Sequence, residues 1–427
     1  MNGKWVSASS SSTIDVVSPI TGDKLGTIPS MTAGEVDQAI QAAAEAFPKW
    51  AGLTARQRAD ILSKWYELCM ENKQDLGTIL TMEQGKPLAE AIGEITYGSG
   101  FFHVYAGEAE RVNGEVLQPS STNTRVLTYR QPVGVVGAIT PWNFPNAMIT
   151  RKCGAALAAG CTVVLKPSEF TPYSAFALAE LGERAGVPPG VFNLVTGDAK
   201  DVGGAMTASK TVKKIAFTGS TRVGKLLIKQ CADTVKRTSM ELGGNAPYIV
   251  FDDADIDAAV SGLMLCKFRN SGQTCVTANR IFVQSGIYDK FAEKLAAKVK
   301  SDLKQGSGLD SKVNIGPLIN SDAVKKVSEQ VEDAKSKGAK ILVGGSLAKK
   351  EDLHGETNGK LFFQPTVMTN VTQEMKVAQE ETFGPVAFLF KVSVGKTSCR
   401  KFRNTFYSHG ILRSHRALFL PLFFLLV

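Results

Sequence analysis

From Pro132 onward the chain alternates short, almost wholly apolar runs with helix-patterned segments, and this alternation limits the folds open to it. Residues 133–140 form a near-continuous apolar run, the pattern of a strand buried on both faces of a parallel sheet. Pro141-Trp-Asn-Phe-Pro145 breaks that run, and the small-residue stretch 147–159 reads as a helix. Strand-like runs recur at 162–165, 191–195 and 214–217, with helical patterns at 172–185 and 223–231. Such a rhythm predicts a doubly wound α/β sheet. A second α/β block follows, with helices over 251–270, 287–301 and 321–337 and strands over 280–283, 340–343 and 362–367. Asp252, Asp253 and Asp255 lie near the start of its first helix, where the helix dipole favours acids.

The segment before Pro132 is mostly helical. A small hairpin is expected within 5–29, and helices over 33–46, 54–72, 73–82 and 90–112, with Thr54 as an N-cap. Tyr97, Phe101, Phe102 and Tyr105 recur at near-helical spacing, which favours a core stripe over a cofactor box. Residues 125–131 alternate and end at a proline, so they read as an exposed strand in need of a partner.

Charge and cysteine usage exclude several function classes. The net charge is +9, but no acid follows Glu381 while seven lysines and arginines do, so the rest of the chain is close to neutral and carries no nucleic-acid footprint. Seven scattered cysteines do not make a disulfide framework and fit a reducing compartment such as the cytoplasm or the mitochondrial matrix. With four histidines and no Cys-x-x-Cys pair, a metal site is not expected. The first twelve residues have neither an apolar signal core nor an Arg-rich amphipathic pattern.

Chemistry-bearing residues gather at predicted strand ends and turns. Leu242-Gly-Gly244 reads as a tight turn after a short strand, with Glu241 as a candidate base. Ser271-Gly-Gln-Thr274 reads as an exposed loop leading to Cys275, and a loop cysteine with an acid is the minimal kit for covalent catalysis. The alternative is that Cys275 is one more small buried hydrophobe. Thr218-Gly-Ser-Thr-Arg-Val-Gly224 follows a strand and opens a helix, where backbone N–H groups receive phosphate. Lys166 and Glu169 also follow a strand end; an acid there hydrogen-bonds ribose hydroxyls and repels a 2′-phosphate.

Taken in order, Ile139-Thr-Pro-Trp-Asn-Phe-Pro145, Lys166-Pro-Ser-Glu169, Phe217-Thr-Gly-Ser-Thr221, Glu241-Leu-Gly-Gly244, Gly272-Gln-Thr-Cys275 and Glu380-Glu-Thr-Phe-Gly-Pro385 resemble the aldehyde dehydrogenase superfamily over residues 2–392. Leu80-Thr-Met-Glu-Gln-Gly-Lys-Pro87, Ala147-Met-Ile-Thr-Arg-Lys152 and Lys267-Phe-Arg-Asn270 are similar to its succinate-semialdehyde branch. The resemblance implies a Rossmann-like NAD-binding domain (1–112 and 133–243), an oligomerisation ribbon (113–132) and an incomplete catalytic domain (244–392), in a homo-dimer or tetramer. It implies Cys275 as nucleophile, Asn143 with the Cys275 backbone N–H as oxyanion hole, and Glu241 as the base for thioester hydrolysis. Thr140, Trp142, Lys166, Ser168, Glu169, Gly219, Ser220, Gly224, Glu381 and Phe383 would hold the cofactor. Glu169 favours NAD, with NADP as the alternative. Arg151 and Arg269 would grip a substrate carboxylate, since guanidinium matches it as a planar fork; the competing reading pairs both with surface acids.

Two departures qualify the resemblance. The position two residues past Cys275, often a second cysteine in this branch, is Thr277, so a redox switch there is not expected. The family pattern continues for roughly another hundred residues past Pro385, an ordinary part-domain length. Here 393–427 turns basic and then apolar, which reads as a translated intron or shifted frame rather than a surface anchor; its apolar run is too short to span a bilayer. Three readings therefore stand: oxidation of succinate semialdehyde, action on a related aldehyde, or a chain that keeps only dinucleotide binding.

Overall fold

The computed structural model describes residues 1–393, so the tail read above lies outside the described residues. The described chain forms two compact units. One comprises Met1–Ser18, Asp23–Gln84 and Leu88–Leu242; the other comprises Pro19–Gly22, Gly85–Pro87 and the chain from Gly243.

The first unit opens with a bulged antiparallel hairpin, β1 (Thr13–Val17) and β2 (Lys24–Pro29). Four helices follow: α1 (Ala33–Ala51), α2 (Ala55–Glu71), α3 (Lys73–Gln84) and α4 (Leu88–Ala109). α2 starts where the sequence sets it. Thr54 accepts from the Gln57 N–H while the Gln57 side chain accepts from the Thr54 N–H, a reciprocal capping box. The exposed segment expected at 125–131 shrinks to two-residue strands, β3 (Val116–Leu117) and β4 (Val126–Leu127). A two-stranded ribbon has little to pack against, so pairing stays short.

The chain then builds β5 (Val135–Ile139), α5 (Pro145–Ala158), β6 (Thr162–Lys166), α6 (Tyr173–Arg184), β7 (Phe192–Leu194), α7 (Ala199–Ala208), β8 (Val212–Thr218), α8 (Thr221–Ala232) and β9 (Arg237–Glu241). The five strands make one parallel sheet in the order β7-β6-β5-β8-β9. The strand order reverses between β5 and β8, and ligands of open α/β sheets bind outside the carboxyl ends of strands at such a switch point. α7, absent from the sequence reading, is short and starts where Asp198 accepts from the Lys200 and Asp201 N–H groups.

In the second unit come β10 (Pro247–Val250), α9 (Ile256–Phe268), β11 (Arg280–Gln284), α10 (Tyr288–Asp302), α11 (Ser321–Ser336), β12 (Lys340–Val343), β13 (Thr366–Thr369) and β14 (Val386–Val392). Its sheet runs β10-β11-β14-β13-β12, parallel except at β12. Neither β10 nor β14 was expected, although Val386 to Phe390 is a buried apolar run in mid-sheet. The core of this unit lies on both faces of the sheet, against α9 and α10 on one and against α11 on the other. Among the described residues, no helix is long and apolar enough to cross a membrane.

Candidate active site

In the first unit the predicted residues cluster where expected, at the carboxyl ends of the parallel strands. Thr140, Trp142 and Asn143 follow β5; Lys166 ends β6, with Ser168 and Glu169 beyond it; Gly219 and Ser220 follow β8; and Glu241 ends β9. The Thr140 N–H donates to the Lys166 carbonyl (3.1 Å), tying two of these ends together. Thr140 Oγ1 is buried with no hydrogen-bond partner among the described residues, a polar atom that a ligand could satisfy.

The buried Asn143 accepts through Oδ1 from the Phe144 N–H (3.1 Å), which fixes the amide so that its Nδ2 faces the other way. α5 begins at Pro145 after Phe144, a residue with no side-chain oxygen to cap it. The cap comes from outside the helix. Glu94 of α4, fully buried, accepts from the Asn146 and Ala147 N–H groups (3.0 and 3.2 Å) through one carboxylate oxygen. No local pattern announces this role, since the partners are some fifty positions away.

Around β6 and β8 the geometry suits a dinucleotide. Lys166 is buried and its ammonium lies 3.2 Å from the Glu169 carboxylate. Ser168 accepts from the Phe170 N–H (3.3 Å). Ser220 is exposed and caps α8 by accepting from the Val223 N–H (3.4 Å). A Cβ at Gly224 would sit 2.4 Å from Leu242, so glycine lets α8 settle on the end of β9. A Cβ at Gly219 would fall 2.4 Å from the Phe217 ring, which keeps the turn bare of side chain. The open N-terminus of α8 and the Lys166–Glu169 pair therefore fit a phosphate and a ribose on one sheet edge. With a ribose bound there, the Glu169 carboxylate would be the group placed to repel a 2′-phosphate, even with Lys166 beside it. Glu169→Gln is expected to lower KM for NADP relative to NAD several-fold, read from initial rates with each cofactor; an unchanged ratio refutes that role.

Arg151, on α5, departs from the surface-pair reading. Its Nη2 donates to the Tyr97 hydroxyl of α4, and its guanidinium carbon lies 4.7 Å from the Phe101 ring centre and 5.8 Å from that of Tyr97. No carboxylate among the described residues forms an ion pair with it. The aromatic stripe expected to be core thus divides. Phe102 is fully buried and stacks on Trp65 at 4.3 Å, whereas Tyr97 and Phe101 are half-buried and hold Arg151. Lys152, beside Arg151, was not singled out from sequence. Burial lowers its ammonium to about 8, against an opposing pull from the Glu241 carboxylate.

In the second unit, Cys275 is exposed, which removes the buried-hydrophobe reading. The stretch leading to it is not the exposed loop expected: Ser271, Gln273 and Thr274 are buried. Ser271 Oγ donates to the Gly316 carbonyl (2.8 Å), Gln273 Nε2 to those of Asn270 and Pro317 (3.2 Å each), and Gln273 Oε1 accepts from the Ile319 N–H (2.9 Å). Asn270, Ser271 and Gly272 all adopt left-handed φ of 50°, 55° and 72°. That run is unfavourable for non-glycine residues and persists only where surroundings over-determine it. A Cβ at Gly272 would meet the Gly384 carbonyl at 2.2 Å, so only glycine fits. Gly244, by contrast, is not in the left-handed region, and no turn is formed over 242–244, which corrects the tight-turn reading. Gly244 instead offers its N–H to the Glu381 carboxylate (3.4 Å).

Arg269 is exposed at the end of α9. Glu381 is half-buried, and burial raises its carboxyl pKa, offset by the Gly244 N–H and by Lys326 and Lys267. Phe383 sits in the left-handed region at φ 57°. Lys267 is completely buried, and its Nζ has no hydrogen-bond partner among the described residues.

Residues 5–402 match the aldehyde dehydrogenase family model. The chain is 55% identical over 393 residues to the 3-sulfolactaldehyde dehydrogenase of Pseudomonas putida, covering 92% of this chain and 79% of that protein. It is 54% identical over 391 residues to the succinate-semialdehyde dehydrogenase [NADP(+)] of Escherichia coli K12, with the same coverage. The crystal structure of succinate-semialdehyde dehydrogenase from Burkholderia pseudomallei superposes with a TM-score of 0.90 at 52% identity, covering 94% of this chain and 81% of that one. With its motifs carried at the strand ends of an α/β sheet and the match running over nearly its whole length, this chain belongs to the aldehyde dehydrogenase family.

Proposed function

We propose that the chain oxidises succinate semialdehyde to succinate with NAD or NADP. The observation that carries the substrate class is Arg151, a guanidinium held by aromatic groups and paired with no carboxylate among the described residues, which suits it to an anionic substrate. Relatives named for 3-sulfolactaldehyde, succinate semialdehyde and glutarate semialdehyde all handle short aldehydes with an anionic end. Unit one is read as the dinucleotide-binding domain (1–112 and 133–243) with a pairing ribbon (113–132), and 244–392 as the catalytic domain. Exposed Val116, Leu127 and Tyr129 suit that ribbon to a second copy of the chain in a dimer or tetramer. The free cysteines suit the cytoplasm or the mitochondrial matrix.

In this reading Cys275 attacks the aldehyde carbon as thiolate, forming a C–S bond and an oxyanion. The Asn143 amide and the Cys275 N–H donate to that oxyanion. Lys166 and Glu169 would hold the adenosine ribose of the dinucleotide, Ser220 would contact its pyrophosphate, and Glu381 and Phe383 would position the nicotinamide ribose and ring. When bound, the dinucleotide supplies a two-electron acceptor for the aldehyde hydrogen. Glu241 takes a proton from water, which adds to the resulting Cys275 thioester; the carboxylic acid leaves and the thiolate is restored. Arg151 and Arg269 fix the far carboxylate.

The test compares succinate semialdehyde with butanal, which has the same carbon count and no charge. Arg151→Ala and Arg269→Ala are each expected to raise KM for the semialdehyde by roughly 30-fold, the size of a lost charge-assisted contact, and to leave butanal within about twofold. Equal loss on both aldehydes refutes carboxylate recognition.

A further inference from the structure

We infer that Tyr97 and Phe101 of α4 are specificity-determining residues that hold Arg151 unneutralised and correctly aimed for the substrate's anionic end. The inference rests on the function proposed above and extends it to a helix outside the family motifs.

Three observations support it. First, Tyr97 and Phe101 are four residues apart, so they share one face of α4, and both rings lie within 6 Å of the Arg151 guanidinium carbon. Second, the partner of Nη2 is a phenol, not a carboxylate. An acid at that place would anchor Arg151 equally well but would cancel its charge; a neutral acceptor fixes the fork and leaves the full positive charge for an incoming anion. Third, the Tyr97 ring packs against the small cluster of Phe144, Ala147 and Met148 at the start of α5. Phe144 directly follows Asn143, so one tyrosine supports both the guanidinium and the segment that carries the oxyanion amide.

Position along α4 makes this a frame rather than a chance contact. Glu94, Tyr97, Gly98 and Phe101 are spaced as one helical stripe. Glu94 caps α5, and Gly98 admits the α5 backbone where a Cβ would come within 2.9 Å of Ala147 Cα. The Gly98 carbonyl accepts from Thr150 Oγ1 (2.6 Å), one residue before Arg151. An arginine side chain has much rotamer freedom to lose, and one already held in its binding pose loses less of it when substrate arrives.

The test is a double-mutant cycle read on two aldehydes. Tyr97→Phe keeps the ring and removes the acceptor; it is expected to raise KM for succinate semialdehyde about tenfold and leave kcat and KM for butanal within about twofold. Phe101→Leu should raise the same KM about threefold, as a lost cation–π contact would. In an Arg151→Ala background both effects should vanish, because nothing is left to aim. A merely structural role would lower activity on both aldehydes and persist in that background, and either result overturns the inference. Thermal melting of each variant identifies unfolding, and Phe101→Leu then carries the test if Tyr97→Phe does not fold. If Arg151→Ala loses activity equally on both aldehydes, the proposed substrate reading fails and this inference with it. If Arg151→Ala is selective and Tyr97→Phe is silent, only this inference fails.

Discussion

Cys275→Ala is expected to lower turnover of any aldehyde substrate by about a thousandfold or more while leaving dinucleotide binding intact. The substitution removes only an exposed sulfur. The groups that shape the loop lie before it, in the buried hydrogen bonds of Ser271 and Gln273 and in the glycine fit at 272, and alanine disturbs none of them. Stability should therefore move by less than about 0.5 kcal/mol, the usual range for a surface change. The measurement pairs reduced-cofactor formation with a cofactor-binding titration of the same preparation. Residual turnover within tenfold of the native chain would remove Cys275 from the mechanism. A native chain that binds dinucleotide but turns nothing over would instead favour the reading of a binding-only module.

What the sequence disclosed follows the range of the forces involved. β5 and β6, their breakers and the helices after them were legible because buried parallel strands are apolar on both faces and their ends are marked by Pro and Gly. Candidate residues at those ends could be named for the same reason. The burial of Ser271 to Thr274 was not legible, since it depends on Gly316, Pro317 and Ile319, more than forty residues downstream. Glu94 and Tyr97 act on α5 from a similar distance, and along their own helix they look like an ordinary acid and one member of an aromatic stripe. β14 has a run of five apolar residues as strong as that of β5, but it follows directly on the Glu380 to Pro385 motif with no separate breaker between them to mark where a strand starts.

Lys267→Met is expected to stabilise the protein at pH 7 by about 3 kcal/mol and to flatten its stability profile at alkaline pH. Lys267 is wholly buried in the last turn of α9, and its ammonium has no hydrogen-bond partner among the described residues. Burial holds its pKa down to about 8 from the ordinary 10.5, against smaller opposing pulls from Cys266 and Glu381. The sign follows from proton counting. Below pH 8 both folded and unfolded chains keep the proton, and the folded chain bears the full cost of a buried charge. Between pH 8 and 10.5 the unfolded chain still holds a proton that the folded chain has released, so stability rises with pH and then levels off. A depression of that size corresponds to about 3 kcal/mol. Methionine keeps an unbranched, apolar shape and carries no charge, so it should recover most of this at neutral pH and none at high pH. Lys152, also held near 8, titrates in the same window, so the quantity to read is the difference between variant and native urea midpoints at pH 7 and pH 10. A variant less stable than the native chain at pH 7 would show that the ammonium is satisfied in solution, and a difference that does not shrink toward pH 10 would show that its charge is not what destabilises the fold. Because Lys267 also acts on Glu381, a gain in stability accompanied by a higher KM for the dinucleotide would mark it as a site where the fold gives up stability to hold a functional carboxylate ionised.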